Sequence, residues 1–381
     1  MNVQLLPNRR QLSLLTLTGG GLLLALYGAI RLLRRKSKKF SWKKPKDEEF
    51  ELVGKVSRLF IYPIKGCSAV EVDSIRVTSH GLQSKHGVFD RSFFILDKNQ
   101  RVLNSILCRA IGSVQVRIVD TNSSLALELS CLLEPHLGTV HVPLIHELSP
   151  DARIVEGKFQ KDNFKGVDCG DIVAAWLKEV LDVPEARLAQ HLPSLSFRPA
   201  NSVGKRTTNY EREFKIIYQN YTDLHLIAES SLEALNQRLS DQGKPEGVKN
   251  IDGLNFRPNL FIKDTPETWH EDRWAHVRIG DECELEQVGN CFRCMNTTIS
   301  KTKFSNFESV DSEDVGAQKH KPKLVATKEP LNTLRQFRRA KNEEEDKRVK
   351  HSPFFGCLMG TRRPGLIRVT DRVKAVIVDQ V

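Results

Sequence analysis

Val53-Gly-Lys-Val-Ser-Arg-Leu-Phe-Ile-Tyr62 carries Val56, Phe60 and Tyr62, residue types that favour extended structure, and the run stops at Pro63. It reads as a β-strand. The residues that follow, Ile64-Lys-Gly-Cys67, place Lys65 and Gly66 on a turn at the strand's end. Glycine lets a backbone approach a ligand closely, and turn N–H groups can cradle a phosphate; a solvent-exposed turn lysine is the plainer reading of the same residues. Outward from this stretch the texture stays β-like. Residues 74–78 form a second strand, and 91–96 with 101–103 read as a hairpin closed at 97–100. Segments 114–119 and 125–129 alternate apolar and polar residues, as half-buried strands do. A helix is expected after Asp171, a good cap residue, on the spacing of Ile172, Val173, Trp176, Leu177, Val180 and Leu181. A second opens with the capping-box pattern Ser230-Ser-Leu-Glu233 and buries Leu232, Leu235 and Leu239, and a third starts at Pro330. Strands return at 256–262, 276–279, 365–369 and 373–378, the charge run 341–350 reads as a solvated loop or helix end, and no internal repeat is visible. The sum is an α+β chain: β-rich, barrel-like, with peripheral helices.

Charge narrows the function classes. The 381-residue chain has a formal net charge of +11, which invites a nucleic-acid reading. Residues 1–46, however, hold eleven Lys and Arg and no Asp or Glu, so the remainder is balanced. A nucleic-acid binder carries its basic excess on the folded domain. Here the excess flanks the uncharged run 11–30, close to the ~20 residues that a helix needs to cross a bilayer core. Two basic residues precede this run and nine follow it, ending the stretch in Arg31-Leu-Leu-Arg-Arg-Lys36 rather than in a small-residue cleavage site. We expect a signal anchor over 11–33 behind a basic N-terminus (1–10), a charged linker over 34–52, and a folded domain on the cytosolic side. Gly19, Gly20 and Gly21 dilute the run, as in outer-mitochondrial anchors.

Eight cysteines in a cytosol-facing chain point to free thiols with a metal or catalytic role rather than to disulfides. Cys291-Phe-Arg-Cys294 has three readings. Half of a zinc site needs two further ligands. A thioredoxin-like pair should open a helix, whereas residues 295–299 look extended. The third is a single thiolate that ligates a soft metal or acts as nucleophile, with Arg293 between the cysteines favouring the thiolate or holding an anion. Asn255-Phe-Arg-Pro-Asn259 puts Arg257 before Pro258 in a stretch that reads as extended, where its guanidinium could grip a phosphate bidentately. Asp90-Arg91, entering a strand, offers the same choice between anion grip and ordinary ion pair.

Taken together, Tyr62-Pro-Ile-Lys65, Asp90-Arg91, Asp168-Cys-Gly170, Asn255-Phe-Arg-Pro-Asn259 and Cys291-Phe-Arg-Cys294 resemble the MOSC-domain family, and in particular its amidoxime-reducing branch. Lys328-Glu-Pro-Leu331, Ser352-Pro-Phe-Phe-Gly356 and Pro364–Ile367 fit the same pattern, so the likeness runs from about residue 53 to 378. The resemblance implies a MOSC N-terminal β-barrel domain over 53–195 and a MOSC domain over 196–381. It implies a molybdenum cofactor (molybdenum with molybdopterin) whose metal is bound by Cys294, the second cysteine of the motif. Lys65, Gly66, Arg91, Arg257, Phe292 and Arg293 map onto cofactor-holding positions, and Asn220-Tyr221-Thr222 onto a pterin-contacting loop. Gly66, Phe292 and Leu358 depart from the residues usual in relatives: a serine, a small polar residue and a tyrosine.

The activity implied is two-electron reduction of N-hydroxylated compounds, amidoximes and hydroxylamines, with electrons from NADH through cytochrome b5 reductase and cytochrome b5, at the mitochondrial outer membrane. The chain has no Gly-x-Gly-x-x-Gly and no P-loop, which suits an external electron donor. The alternative is a cofactor-binding or sulfur-carrying MOSC protein without turnover; the sulfurases that contain such modules also carry a large pyridoxal-phosphate domain, for which this length leaves no room. Deleting residues 1–40 is expected to release a soluble, folded protein, and external protease should degrade the full-length chain in intact mitochondria. Protection until the outer membrane is ruptured would overturn that topology.

Overall fold

The computed structural model describes residues 45–378 except 122–123, 160–161, 196–197, 200–214, 218, 245–249 and 306–322. The expected anchor at 11–33 lies outside the described residues, among which no helix is long and apolar enough to cross a membrane.

The strand read from residues 53–62 spans Glu51–Ile61 (β1) and closes a barrel. The other six staves are β2 (Leu224–Ala228), β3 (Leu260–Lys263), β4 (Trp274–Ile279), β5 (Cys283–Phe292), β6 (Phe354–Arg363) and β7 (Arg372–Ile377). Their order is β3-β2-β6-β5-β4-β7-β1, and β1 returns to β3. The β2–β3 pair is parallel, and the rest are antiparallel. β1 achieves closure because it is long: Glu51–Lys55 faces β7, and Lys55–Leu59 faces β3. Its Val56, Leu59 and Ile61 are fully buried among Leu226, Leu260 and Ile262, each apolar side chain stabilising by roughly 1.5–3 kcal/mol. Phe60 points the other way, onto Phe261 and the underside of α2 (Glu229–Asp241) and α3 (Leu331–Phe337). The first part of the chain and the barrel are therefore built into each other.

Residues 62–190 supply the smaller sheets. Phe93–Leu96, Arg187–Gln190, Asp162–Asp168 and Ile154–Phe159 form one; Val114–Thr121, Ser124–Cys131 and Val140–Pro143 another. Ser74–Thr78 pairs with Gly81–Ser84 and with Gly365–Arg368 from the far end of the chain. The hairpin expected at 91–103 is present, its second arm reduced to a bridge from Val102 to Leu96.

Several local expectations are corrected. Asp171 is the first residue of α1 (Asp171–Leu181) rather than its cap; its carboxylate pairs with Arg187 instead, and Ile172 is 81% exposed. The capping box at Ser230–Glu233 does not form: α2 begins at Glu229, with Ala228 in the cap position, and Ser230 Oγ bonds to Thr265 Oγ1 (2.6 Å) instead. Of residues 256–262 only the end is strand: Gly253–Phe256 is a 3-10 turn. The charge run contains a short helix, α4 (Glu343–Arg348), capped by Asn342.

Where β6 crosses β2, a side chain at Gly356 would meet Ile227 Cγ2 at 2.5 Å and the Leu226 carbonyl at 2.6 Å, and φ there is +71°. Gly356→Ala is expected to lower the unfolding free energy by roughly 1–3 kcal/mol through overpacking, read as a reduced urea midpoint at unchanged slope.

Candidate functional site

The turn at residues 62–67 is the floor of the site. Backbone bonds lock it against residues 91–93: Arg91 N–H donates to Tyr62 O (2.7 Å), Phe93 N–H to Pro63 O (2.9 Å) and Lys65 N–H to Phe93 O (2.9 Å). Gly66 holds φ at +94°, and a Cβ there would meet Ile111 Cδ1 at 2.8 Å. The serine usual in relatives would require Ile111 to move, which gives the glycine a physical reason.

Asp90, fully buried, ties this turn to the barrel. Its Oδ1 accepts from Tyr62 N–H (2.8 Å) and Asn259 Nδ2 (3.2 Å), its Oδ2 pairs with Arg91, and its carbonyl accepts from Gln219 Nε2 (3.1 Å). Asn259 in turn donates its N–H to His225 O on β2 (2.7 Å) and its amide to Phe60 O (3.1 Å).

Three cations gather at the same turn. Lys65, 7% exposed, reaches Asn220 Oδ1 at 3.0 Å and lies over the Phe159 ring at 4.2 Å. Arg91 and Arg257 both stand over the Tyr62 ring, at 4.7 and 4.2 Å from its centroid. Arg257 Nη1 donates to Cys67 O (2.8 Å), while its Nη2 is sealed from solvent with no partner. Burial, opposed by neighbouring Tyr62, pushes the Arg257 pKa down to about 10, which leaves it charged at neutral pH. Arg257 is not extended as expected. It occupies the left-handed region (φ +55°, ψ +50°), and Arg91 does likewise at φ +54°. Such backbone is sparsely populated by non-glycine residues and concentrates at functional sites.

Cys291 and Cys294 part company. Cys291, at the end of β5, is 7% exposed, and burial raises its pKa; Cys294, two residues past the strand, is exposed. Residues 295–298 form a 3-10 turn rather than the extended segment expected, but the strand before it is antiparallel, and among the described residues no βαβ unit follows. No three or more His, Cys, Asp or Glu cluster among the described residues, so the zinc reading finds no further ligands there, and all eight cysteines are free thiols. The Cys294 turn is bound to the turn before Arg257: Asn255 Nδ2 donates to Thr297 O (3.1 Å), and Thr297 N–H to Cys294 O (3.1 Å).

Arg293, expected to favour a thiolate or hold an anion, turns inward. Its Nε donates to Phe355 O (2.9 Å), its Nη1 to Phe256 O (2.9 Å), and its Nη2 meets His225. It clamps the Cys294 loop to β2 and β6. Burial, and secondarily Arg293, holds His225 neutral. Phe292 packs edge-on against Tyr221 (4.8 Å between centroids), which brings the 220–222 loop against the cysteine motif. Thr222 is buried and donates to Leu224 O, and Asp223, its pKa pushed up to about 6 by burial, accepts from Thr361 on β6. A cavity of about 930 Å³ lies elsewhere, against α1, lined by Leu96, Lys98, Arg153, Lys178 and Arg187; it contains none of these residues.

The structure thus brings Lys65, Arg91, Arg257, Asn220, Tyr221, Phe292 and Cys294 into one connected region and sends the Arg293 side chain behind it. Sequence reasoning named the charges but gave no role to Tyr62, Asp90, Asn259 or His225. The first three adjoin or lie within the motifs quoted, and a buried Asp next to Arg was the available signal.

The described residues form a closed β-barrel interlocked with a β-rich N-terminal region, with an exposed thiol at Cys294 and a turn that gathers Lys65, Arg91 and Arg257. The chain belongs to the MOSC-domain family: residues 53–184 match the MOSC N-terminal beta barrel domain and residues 213–374 the MOSC domain. It is similar to the mitochondrial amidoxime-reducing component 1 of Xenopus laevis, 28% identical over 88% of this chain and 86% of the relative. Component 2 of Rattus norvegicus is 29% identical (86% and 85%), and component 1 of Homo sapiens 27% (87% and 86%).

In cofactor-free protein, brief native treatment with iodoacetamide should alkylate Cys294 well ahead of Cys67, Cys131, Cys283, Cys291 and Cys357, as mass spectrometry of the peptides would read. Comparable labelling of Cys291 would contradict the division between the two.

Proposed function

We propose that this chain is a molybdenum-cofactor-dependent reductase of N-hydroxylated compounds such as amidoximes and hydroxylamines. The observation that carries the reading is the exposed Cys294 thiol on a loop tied through Thr297 and Asn255 to the turn that presents Arg257, whose Nη2 is buried and unpartnered. A buried donor without an acceptor is costly unless a ligand supplies one. The donor set fits a cofactor that joins a soft metal to an anionic phosphate: thiolate for the metal, guanidinium and ammonium groups for the phosphate. The names of the relatives, amidoxime-reducing components, point the same way.

When bound, the molybdenum cofactor would supply a two-electron redox centre. The chain's own residues do the rest. Lys65, Arg91 and Arg257 would bind the anionic end. Asn220, Tyr221, Thr222 and Phe292 would wall the pterin side, and Gly66, where a side chain would meet Ile111, would shape the turn. Cys294 would give the metal its protein thiolate, while Cys291, held protonated by burial, stays out of coordination. Arg293 fixes the loop from behind through Phe355, Phe256 and His225. With no nicotinamide fingerprint in the sequence, electrons would come from cytochrome b5 and its reductase. The relatives' names and the basic-flanked apolar run at 11–30 favour a mitochondrial, outer-membrane-anchored protein with its folded domain in the cytosol. A cofactor carrier without turnover is the competing reading, and the same experiment separates the two.

The test sets Cys291→Ser and Cys294→Ser side by side, measuring molybdenum, pterin and turnover of a model amidoxime with NADH, cytochrome b5 and its reductase. Cys294→Ser replaces a soft sulfur with a hard, largely protonated oxygen. It should abolish turnover and lower molybdenum while pterin is largely kept; Cys291→Ser should retain most activity. Equal loss in both, or full activity in Cys294→Ser, would sink the reading. Molybdenum and pterin in the parent protein without turnover would favour the carrier.

A further inference from the structure

Tyr62 is 1% exposed, and everything about it is shared between the two arginines. Its ring lies beneath both guanidinium groups, at 4.7 Å from Arg91 Cζ and 4.2 Å from Arg257 Cζ. Its backbone N–H is held by Asp90, its carbonyl accepts the Arg91 N–H, and its hydroxyl donates to Pro258 O (2.9 Å), one residue past Arg257. The two cations repel one another, and the one buried carboxylate at hand, Asp90, pairs with Arg91. Both arginines also hold left-handed backbone, which persists only where the surroundings over-determine it. An electron-rich aromatic face attracts a desolvated guanidinium, and Tyr62 presents such a face to each. Burial keeps its phenol protonated, so it adds no competing anion.

We propose that Tyr62 is a positioning residue: its ring is the shared platform that holds Arg91 and Arg257 together as one phosphate-gripping pair. This rests on the cofactor reading above, but its test does not depend on turnover. The attraction comes from the ring's electron density, not its shape, so the two can be separated. Position 62 of the full chain, in detergent, would carry phenylalanine and then phenylalanines of increasing ring fluorination. These are close in shape but progressively poorer in π-electron density. Two quantities would be read: inorganic phosphate affinity of the cofactor-free protein by calorimetry, and pterin retained per chain after dilution. Melting temperature serves as the control.

Tyr62→Phe should bind phosphate within about twofold of the parent, and the fluorinated series should weaken stepwise to roughly tenfold at constant melting temperature. In an Arg257→Ala background the series should shrink to the share that acts through Arg91, since effects that act through a shared partner do not add. A flat series in the parent background, a Tyr62→Phe loss as large as that of full fluorination, or additivity with Arg257→Ala would overturn the proposal. So would a parent protein that does not bind phosphate. A parent that binds phosphate and shows the series but purifies without molybdenum or pterin would leave Tyr62 in its role and overturn the cofactor reading instead.

Discussion

The carboxylate of Asp90 is the contact on which the site's geometry hangs. An isolated charge at zero exposure would cost several kcal/mol of desolvation, and it is tolerated only when paired and hydrogen-bonded. Asp90 meets both conditions by drawing its partners from separate parts of the chain: Tyr62 from the end of β1, Arg91 beside it, and Asn259 from the entry to β3. Each partner is one of the cations gathered at the turn or lies within three residues of one. Tyr62 leads into the Lys65 turn, Arg91 is itself one of the three cations, and Asn259 follows Arg257 and Pro258. Because the alternative is an unpaired buried charge, the three segments are held to one arrangement, and the cations converge without being paired to one another.

Closure of the barrel by β1 has the same logic at larger scale. β1 lies between β7 and β3, both from beyond residue 259, so the sheets built from residues 62–190 are tied through it to the barrel. Register irregularities cluster where β5 meets β6, near Gln287/Gly289 and Asn290/Phe292. Bulges bend a strand and re-aim its side chains. Here they fall in the last turns of β5, where one cysteine must point into the core and the next emerge.

Much of this was legible in the sequence, for identifiable reasons. Strands such as β1, Ser74–Thr78 and Val114–Thr121 announce themselves because one face is buried and the period-2 pattern survives. The α1 and α2 helices were equally plain from their apolar spacing. Their first turns were not, because capping is decided by tertiary partners: Asp171 is taken by Arg187, and Ser230 by Thr265. At the site the sequence singled out Lys65, Arg91 and Arg257, which the structure gathers at one turn, and Cys294, which is exposed where Cys291 is buried. It could not give the left-handed backbone of Arg257. A residue before proline is biased toward extended conformations, and only the 3-10 turn at Gly253–Phe256, held by Asp252 and Asn255, forces the alternative. Nor could it reveal that Arg293 faces inward, since a run of four residues does not fix the side from which its arginine will be met.

That inward turn shows how an exposed thiol could serve as the precise ligand that the proposed function requires of it. Surface cysteines on loops wander, and a metal site tolerates little error in its ligand's position. Cys294 is exposed, yet its neighbours are not free. Arg293 is anchored to Phe355 O on β6 and Phe256 O in the 3-10 turn, and touches His225 on β2, while Arg293 N–H donates to Pro353 O (2.8 Å). The residue after the strand is therefore pinned to three other elements, and the thiol one step further on inherits that rigidity. The clamp depends on Gly356: a side chain there would strike His225 Nε2 at 2.6 Å, the very atom that Arg293 approaches. A glycine on a barrel strand with no ligand contact of its own thus becomes a condition for placing the thiol. Barrel packing and site geometry meet at that one contact.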